Sequence, residues 1–197
     1  GGAIRITPSF VSKFEGVEFQ NDTRNTILSQ GRDINITDVT DPSQGYVLEK
    51  YTDVRSDGTL DTDITFSSVD FPMFRLADVY LMYAEAHLRG GGGSAADAVN
   101  YINMIRTRAN QGSTDWNISA SDLTLNFIID ERARELYWES HRRQDLRRFD
   151  LFTGGAYVWS FKGNTANGVA IPNYREVYPI PNESLSVNPN LTQNEGY

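Results

Sequence analysis

Ten charged side chains crowd one stretch of the sequence: Glu131, Arg132, Arg134, Glu135, Glu139, Arg142, Arg143, Asp145, Arg147 and Arg148. On a helix Glu131, Glu135 and Glu139 form one i, i+4 row whose neighbours stand about 6 Å apart. Carboxyl groups separated by roughly 5–5.5 Å serve retaining glycosidases as acid and nucleophile. The chemistry within reach of such a row is therefore glycoside hydrolysis, with Glu131 and Glu135 as its carriers. Electrostatics argues the other way. A general acid needs its pKa raised by burial or by a like charge, whereas several guanidinium groups close by favour the ionised form. The row also repels itself by a few tenths of a kcal/mol per pair. Arg134, three residues after Glu131, offsets this, as do Arg142 and Arg143, three and four after Glu139, with Arg75 from an earlier helix as a further candidate. A structural ion network is the favoured reading and catalysis the alternative.

Other reactive chemistry has less support. His87 and His141 are the only histidines; the first follows a buried helix and the second lies among arginines, so neither is placed beside a nucleophile and an orienting acid. No HExxH pattern is present. The absence of cysteine removes disulfides, thiolate metal sites and thiol nucleophiles. Asp53, Asp57, Gly58, Asp61 and Asp63 suggest a calcium loop, but Arg55 and Ile64 occupy two ligand positions of the EF-hand pattern, so a polar turn is expected. No phosphate-binding GxxxxGK[ST] loop occurs, and the glycines at Gly90–Gly93 follow a helix rather than a strand. No cofactor is expected.

The aromatic residues offer a binding chemistry instead. Sugar rings present apolar C–H faces that stack on Trp and Tyr, and such a site needs aromatics on loops held by a rigid scaffold. Trp116, in the loop after the second long helix, and Tyr157 with Trp159, before Lys162-Gly163-Asn164, are candidates. Tyr46 and Tyr51 are weaker ones. Trp138, Tyr80 and Tyr83 read as core, since large aromatics are buried on average.

The elements that position these groups follow from periodicity. Residues 1–70 hold turn signals and short β-prone pieces with little helical period, and read as extended chain and loops. From Phe74, apolar residues recur at Ala77, Leu81, Ala84 and Leu88, with Leu76, Val79, Tyr80 and Tyr83 on the other side, which predicts a helix buried almost all round. Gly90–Gly93 ends it. Ser94 and Asp97 form a capping box that opens a second helix, with a stripe of Ala95, Ala98, Val99, Ile102, Ile105 and Ala109. The two are expected to pair as an antiparallel hairpin. A third helix is expected from Ser119 or Ser121 to about Ser140, and a short one over Asp145–Phe149. Residues 150–197, rich in Gly, Pro and Asn, read as ordered irregular chain anchored by Val177, Tyr178, Ile180 and Leu191.

Composition sets outer limits. A chain of 197 residues is most simply one domain. Its net charge of −8 opposes binding to nucleic acid. No run reaches the roughly 18 apolar residues of a spanning helix. Fifteen of its 18 basic residues are arginine, the side chain suited to bidentate carboxylate pairing.

Three segments in this order, FRLADVYLMYAEA (Phe74–Ala86), IDERARELYWESHRRQDLRRF (Ile129–Phe149) and PIP…NPNLTQNEGY toward the C-terminus, resemble the C-terminal half of the SusD/RagB family. GYVLEKY (Gly45–Tyr51) resembles the family's extended lead-in. The resemblance implies a mainly α fold of tetratricopeptide-like helix hairpins carrying long irregular loops and a few short β segments. It implies that the chain is the C-terminal part of a longer protein, divided into an extended segment (1–70), a helical core (71–150) and an irregular wrap (151–197). It further implies a non-enzymatic role: capture of an oligosaccharide or similar nutrient at the bacterial outer-membrane surface, and delivery to a TonB-dependent, SusC-like transporter. Membrane attachment would come through a lipid anchor that this sequence, lacking cysteine, does not carry. A helical protein-interaction module without sugar binding is the other alternative.

Overall fold

The computed structural model describes residues 4–55, 57–60 and 68–197. The chain divides into two compact units, Gly1–Arg142 and Arg143–Tyr197. In order, the first contains α1 (Pro8–Val11), two 3-10 turns, β1 (Ile27–Leu28), β2 (Val47–Leu48), α2 (Leu76–Leu88), α3 (Ala95–Ala109) and α4 (Leu125–Leu136). Next come α5 (Arg142–Arg148), two further 3-10 turns and α6 (Asn182–Val187). The fold is mainly helical, with one two-stranded antiparallel sheet that pairs Ile27 with Leu48 and Leu28 with Val47.

The hairpin of α2 and α3 forms as the sequence predicts. Tyr80 stacks on Tyr101 with centroids 4.7 Å apart, and Tyr83 meets the same ring edge-on at 5.0 Å, so the helices run antiparallel. Between them the glycines do specific work. The Gly91 amide donates to Ala86 O at 2.8 Å and the Gly90 amide to His87 O at 3.0 Å, the paired bonds of a Schellman cap. Gly90, at φ +85°, occupies the left-handed position that this cap requires. At Gly93 a Cβ would lie 2.4 Å from Tyr83 Oη, the atom that accepts from the Ser94 amide at 3.1 Å. Ser94 then caps α3 by accepting from the Asp97 amide at 3.0 Å. Ser94→Ala is expected to lower stability by about 1 kcal/mol, read as a shifted denaturation midpoint at constant slope; no shift would mean the cap is redundant.

Leu81 and Ala84 from α2, Ala98, Ile102, Ile105 and Ala109 from α3, and Ile128 and Ile129 from α4 form the core. The alanines allow close approach of the helices. Phe10, Phe14, Phe19 and Tyr137 pack edge-on as a second cluster, which ties the first twenty residues to the end of α4.

Several expectations need correction. The helix predicted from Phe74 starts at Leu76, behind Arg75 as N-cap, and its burial is one-sided: Leu76, Val79 and Met82 are exposed. Two apolar faces in a sequence do not guarantee two packing partners. The third helix starts at Leu125, because Thr124 accepts from the Phe127 amide at 3.1 Å and so caps it. Ser119 and Asp122 do form a capping-type contact, at 2.8 Å, but in a turn that precedes the helix. The helix also ends early, at Leu136. Trp138 (φ +61°) and Ser140 (φ +64°) take left-handed conformations that a helix excludes. Trp138 is consequently 45% exposed and not core. The short helix expected over Asp145–Phe149 is α5, beginning three residues earlier.

Candidate functional site

Because α4 stops at Leu136, only Glu131 and Glu135 of the acidic row are helical neighbours; Glu139 follows in the turn. Glu131 is 0% exposed. It accepts from Arg24 Nη1 at 2.8 Å, Arg106 Nη1 at 3.3 Å and Arg134 Nη2 at 2.7 Å. Glu135 accepts from Arg75 Nη1 at 2.5 Å, Arg108 Nη2 at 2.6 Å and Arg24 Nη1 at 3.2 Å. Arg24 thus bridges the two carboxylates that would otherwise repel each other, while its own Nη2 bonds Asp22 at 2.6 Å. Glu139 is held by Arg75 Nε at 2.6 Å and by the Lys50 ammonium.

Six cations (Arg24, Lys50, Arg75, Arg106, Arg108, Arg134) therefore meet four carboxylates (Asp22, Glu131, Glu135, Glu139) among the described residues. The excess has two outlets. Carbonyls at the C-terminal end of α4 take part of it: Arg75 Nη2 donates to Glu135 O at 2.6 Å and Lys50 Nζ to Tyr137 O at 2.6 Å. Carbonyls there carry the negative end of the helix dipole. Aromatic faces take the rest: Lys50 lies 4.3 Å from the Tyr137 centroid, and Arg134 4.7 Å from that of Phe19.

These contacts decide the chemistry. Burial works to raise the Glu131 pKa, but Arg24, Arg134 and Arg106 outweigh it and hold the carboxyl down at about 2. Burial likewise opposes ionisation of Glu135, and Arg24, Arg108 and Arg75 prevail to lower its pKa. Neither group keeps a proton at neutral pH to give to a glycosidic oxygen, and Glu131 exposes no atom to a substrate. The glutamates hold together α3, α4, the start of α2 at Arg75 and the segments that carry Arg24 and Lys50. Arg142 and Arg143 were expected to balance Glu139; instead Arg142 donates to Ile129 O at 2.9 Å, and Arg143 bonds the carbonyls of Arg175 and Glu176 within the second unit. Asp22, Arg24, Lys50, Arg106 and Arg108 escaped the sequence reading. The arginine excess signalled a network, but its partners lie up to 111 residues from Glu135 along the chain.

The aromatic candidates fall in separate places. Tyr46 is half-buried, and its backbone carbonyl accepts from the Ile6 amide at 2.9 Å. Tyr51 is also half-buried, with its hydroxyl out of solvent and no hydrogen-bond partner among the described residues. Trp116 is 36% exposed. Its loop is tied to α3: the Trp116 carbonyl accepts from Arg106 Nε at 2.6 Å, and Asn103 bonds both main-chain groups of Ile118 at 2.9 and 2.8 Å.

In the second unit Tyr157 and Trp159 come together with centroids 5.7 Å apart. Lys162 lies beneath them, 2% exposed. Its ammonium donates to the carbonyls of Gly154 and Tyr157 and sits 4.6 Å from the Trp159 centroid. Burial alone lowers its pKa. Gly168 (φ +70°) completes the turn, since a Cβ there would lie 2.2 Å from the Trp159 carbonyl. Gly168→Ala is expected to destabilise by at least about 1–2 kcal/mol through left-handed strain alone and to shift tryptophan emission as Trp159 moves. Unchanged emission and melting would show that the pair does not depend on this turn.

His87 Nδ1 lies 3.0 Å from Gly92 O at the end of α2, a helix-end role as expected. Asp57 accepts from the Thr59 amide at 2.9 Å, the polar turn anticipated, while Asp61, Asp63 and Ile64 lie outside the described residues. Among the described residues no helix is long and apolar enough to cross a membrane.

The described residues thus form a mainly helical scaffold clamped by neutralised ions, with Trp116 on a restrained loop. The SusD family model matches residues 6–197, and the chain belongs to that family. It is 41% identical over 155 residues to the starch-binding protein SusD of Bacteroides thetaiotaomicron, covering 79% of this chain and 26% of the relative. It is 39% identical over 131 residues to SusD-like protein P25 of Formosa agariphila, covering 64% and 24%. A solved SusD superfamily protein from Parabacteroides distasonis aligns over 97% of this chain and 41% of its own, with TM-score 0.61 and 24% identity, a likeness of fold. One from Bacteroides vulgatus aligns over 69% and 30%, with TM-score 0.51 and 31% identity. The chain spans about a quarter of the length of these curated relatives. Of these relatives, SusD of Bacteroides thetaiotaomicron is named for binding starch.

Proposed function

We propose that this chain is part of a cell-surface receptor that captures an oligosaccharide or similar nutrient and passes it to a TonB-dependent, SusC-like outer-membrane transporter. The observation that carries this is the match to the SusD family across residues 6–197, together with 41% identity to a starch-binding member. Binding is reversible and needs no cofactor, in keeping with carboxylates fully engaged by cations. Trp116, Tyr157 and Trp159 are the proposed sugar contacts on this chain, with Tyr46 and Tyr51 as weaker candidates. The protein works at the outer-membrane surface through a lipid anchor.

Calorimetry with starch-type and other glycans is the test. Measurable affinity that falls in Trp116→Ala or Trp159→Ala supports the reading. A second reading, a helical module that binds a protein partner, is favoured by the apolar residues Leu76, Val79 and Met82 exposed along α2. Co-purification with a barrel transporter, with no sugar bound by the isolated protein, would select it.

A further inference from the structure

Across residues 147–197, among the described residues, one side chain alone is buried, and it belongs to a lysine. No apolar side chain of that stretch is buried with Lys162. No carboxylate acts on its charge either, so burial works on it unopposed. An ammonium taken out of water without a counter-ion is costly, so its contacts have to stabilise the surrounding chain by more than its desolvation costs. We infer that Lys162 is a positioning residue: its ammonium is the core around which residues 154–171 fold, and its charge fixes where Tyr157 and Trp159 stand. The inference deepens the reading of Trp159 as a sugar contact by naming what holds the ring, and its test needs no ligand.

The geometry is that of a bound cation. Gly154 O, at 3.2 Å, and Tyr157 O converge on Nζ from eight and five positions earlier in the chain, and the Trp159 ring lies over it with its centroid 4.6 Å away. Two of the ammonium's three N–H groups serve carbonyls, and the π electrons of the indole meet the remaining charge. The main chain closes the same loop. The Lys162 amide donates to Trp159 O at 3.0 Å, its carbonyl accepts from the Val169 amide at 3.0 Å, and the Gly154 amide donates to Ile171 O at 2.8 Å. The ends of the loop are thus joined by backbone, while the ammonium ties its middle to its start.

The chain beside Lys162 resists this path. Phe161 (φ +68°) and Asn164 (φ +63°) hold left-handed conformations, which cost energy in residues that carry a side chain. With no buried apolar side chain in the loop, the ammonium is the group that draws these turns together. Both members of the aromatic pair are tied to that one atom, Tyr157 through its carbonyl and Trp159 through its ring. Their rings stand 5.7 Å apart at 46°, close enough to couple their near-ultraviolet transitions.

Lys162→Met in the intact chain keeps most of the apolar stem and removes the charge. The near-ultraviolet circular dichroism of the pair, taken as the difference between the parent and Trp159→Phe, is expected to be lost, while the far-ultraviolet spectrum of the helices stays unchanged. Trp159 emission, isolated by the same difference, is expected to move toward that of indole in water. Lys162→Ala leaves room for the missing part of the side chain. Added n-propylammonium is expected to restore the parent signals there, and tetramethylammonium, which carries the charge but no N–H group, is not. Parent-like signals in Lys162→Met would show that packing holds the pair and overturn the inference. Signals lost in Lys162→Ala and left unrestored by n-propylammonium would overturn it too, because the charge would then not be what positions the rings. A parent chain that binds no glycan overturns the sugar-contact reading alone, since none of these signals depends on a ligand.

Discussion

Glu131→Gln is expected to destabilise the protein by about 3–5 kcal/mol, the range for removing one partner of a buried ion pair. The substitution keeps the volume, so no cavity contributes. What changes is charge: Arg24, Arg106 and Arg134 are left facing a neutral amide in a site with no exposed surface. Arg24 keeps Asp22 and Glu135, which places the effect toward the lower end of the range; Arg106 has no other carboxylate in the network to turn to. For a protein of this size each kcal/mol lowers Tm by about 2–4 °C. Urea denaturation followed by far-UV circular dichroism measures the effect as a lower midpoint at constant slope. Asp130→Asn serves as the contrast, because its partner Lys13, at 2.6 Å, and Asp130 itself are partly solvated; such a pair contributes under about 1 kcal/mol. Equal effects in the two variants would mean that water relaxes the interior network and that Glu131 is not the keystone of the scaffold.

The part of this architecture legible in the sequence was the part governed by local rules. The Ser94–Asp97 box and the glycines after Leu88 are chemistry within six residues, and the α2–α3 hairpin followed from them. What depended on distant partners was not legible. The i, i+4 spacing placed Glu131 beside Glu135 correctly, but assigned Arg142 and Arg143 to Glu139, on the assumption of a helix that in fact stops at Leu136. The end of that helix is set by left-handed backbone at Trp138 and Ser140, two residue types with no special liking for it. Arg24 and Lys50 lie in a segment without periodicity, where nothing marks a residue as the counter-ion of a helix more than eighty positions away. The same limit applied to the candidate site. Sequence nominated Trp116, Tyr157 and Trp159 by their loops, but could not show that Arg106 and Asn103 restrain the first loop, or that a buried lysine carries the other pair.

The network also fixes how the protein responds to acid. Glu131 titrates at about 2 when folded and near its ordinary value of 4.5 when unfolded. Between those values the unfolded chain binds the extra proton, so stability rises with pH across the window. The contribution is fully present above pH 4.5 and is lost as pH falls through the folded value; a difference of this size corresponds to about 3 kcal/mol. Glu135, whose pKa is also lowered in the folded state, adds loss of the same sign. Lys50 acts at the opposite end: burial lowers its pKa despite Glu139, so raising the pH removes a penalty there rather than a support. Urea midpoints taken at pH 7, 5, 4 and 3 are therefore expected to hold level and then fall steeply below about 4.5. In Glu131→Gln the group that titrates is gone, and the slope in that window is expected to shrink by nearly one proton, about 1.4 kcal/mol per pH unit. Parent and variant losing stability in parallel from pH 5 to 3 would place the acid-sensitive groups elsewhere and contradict the strong ionisation of Glu131 on which the non-catalytic reading of this cluster stands.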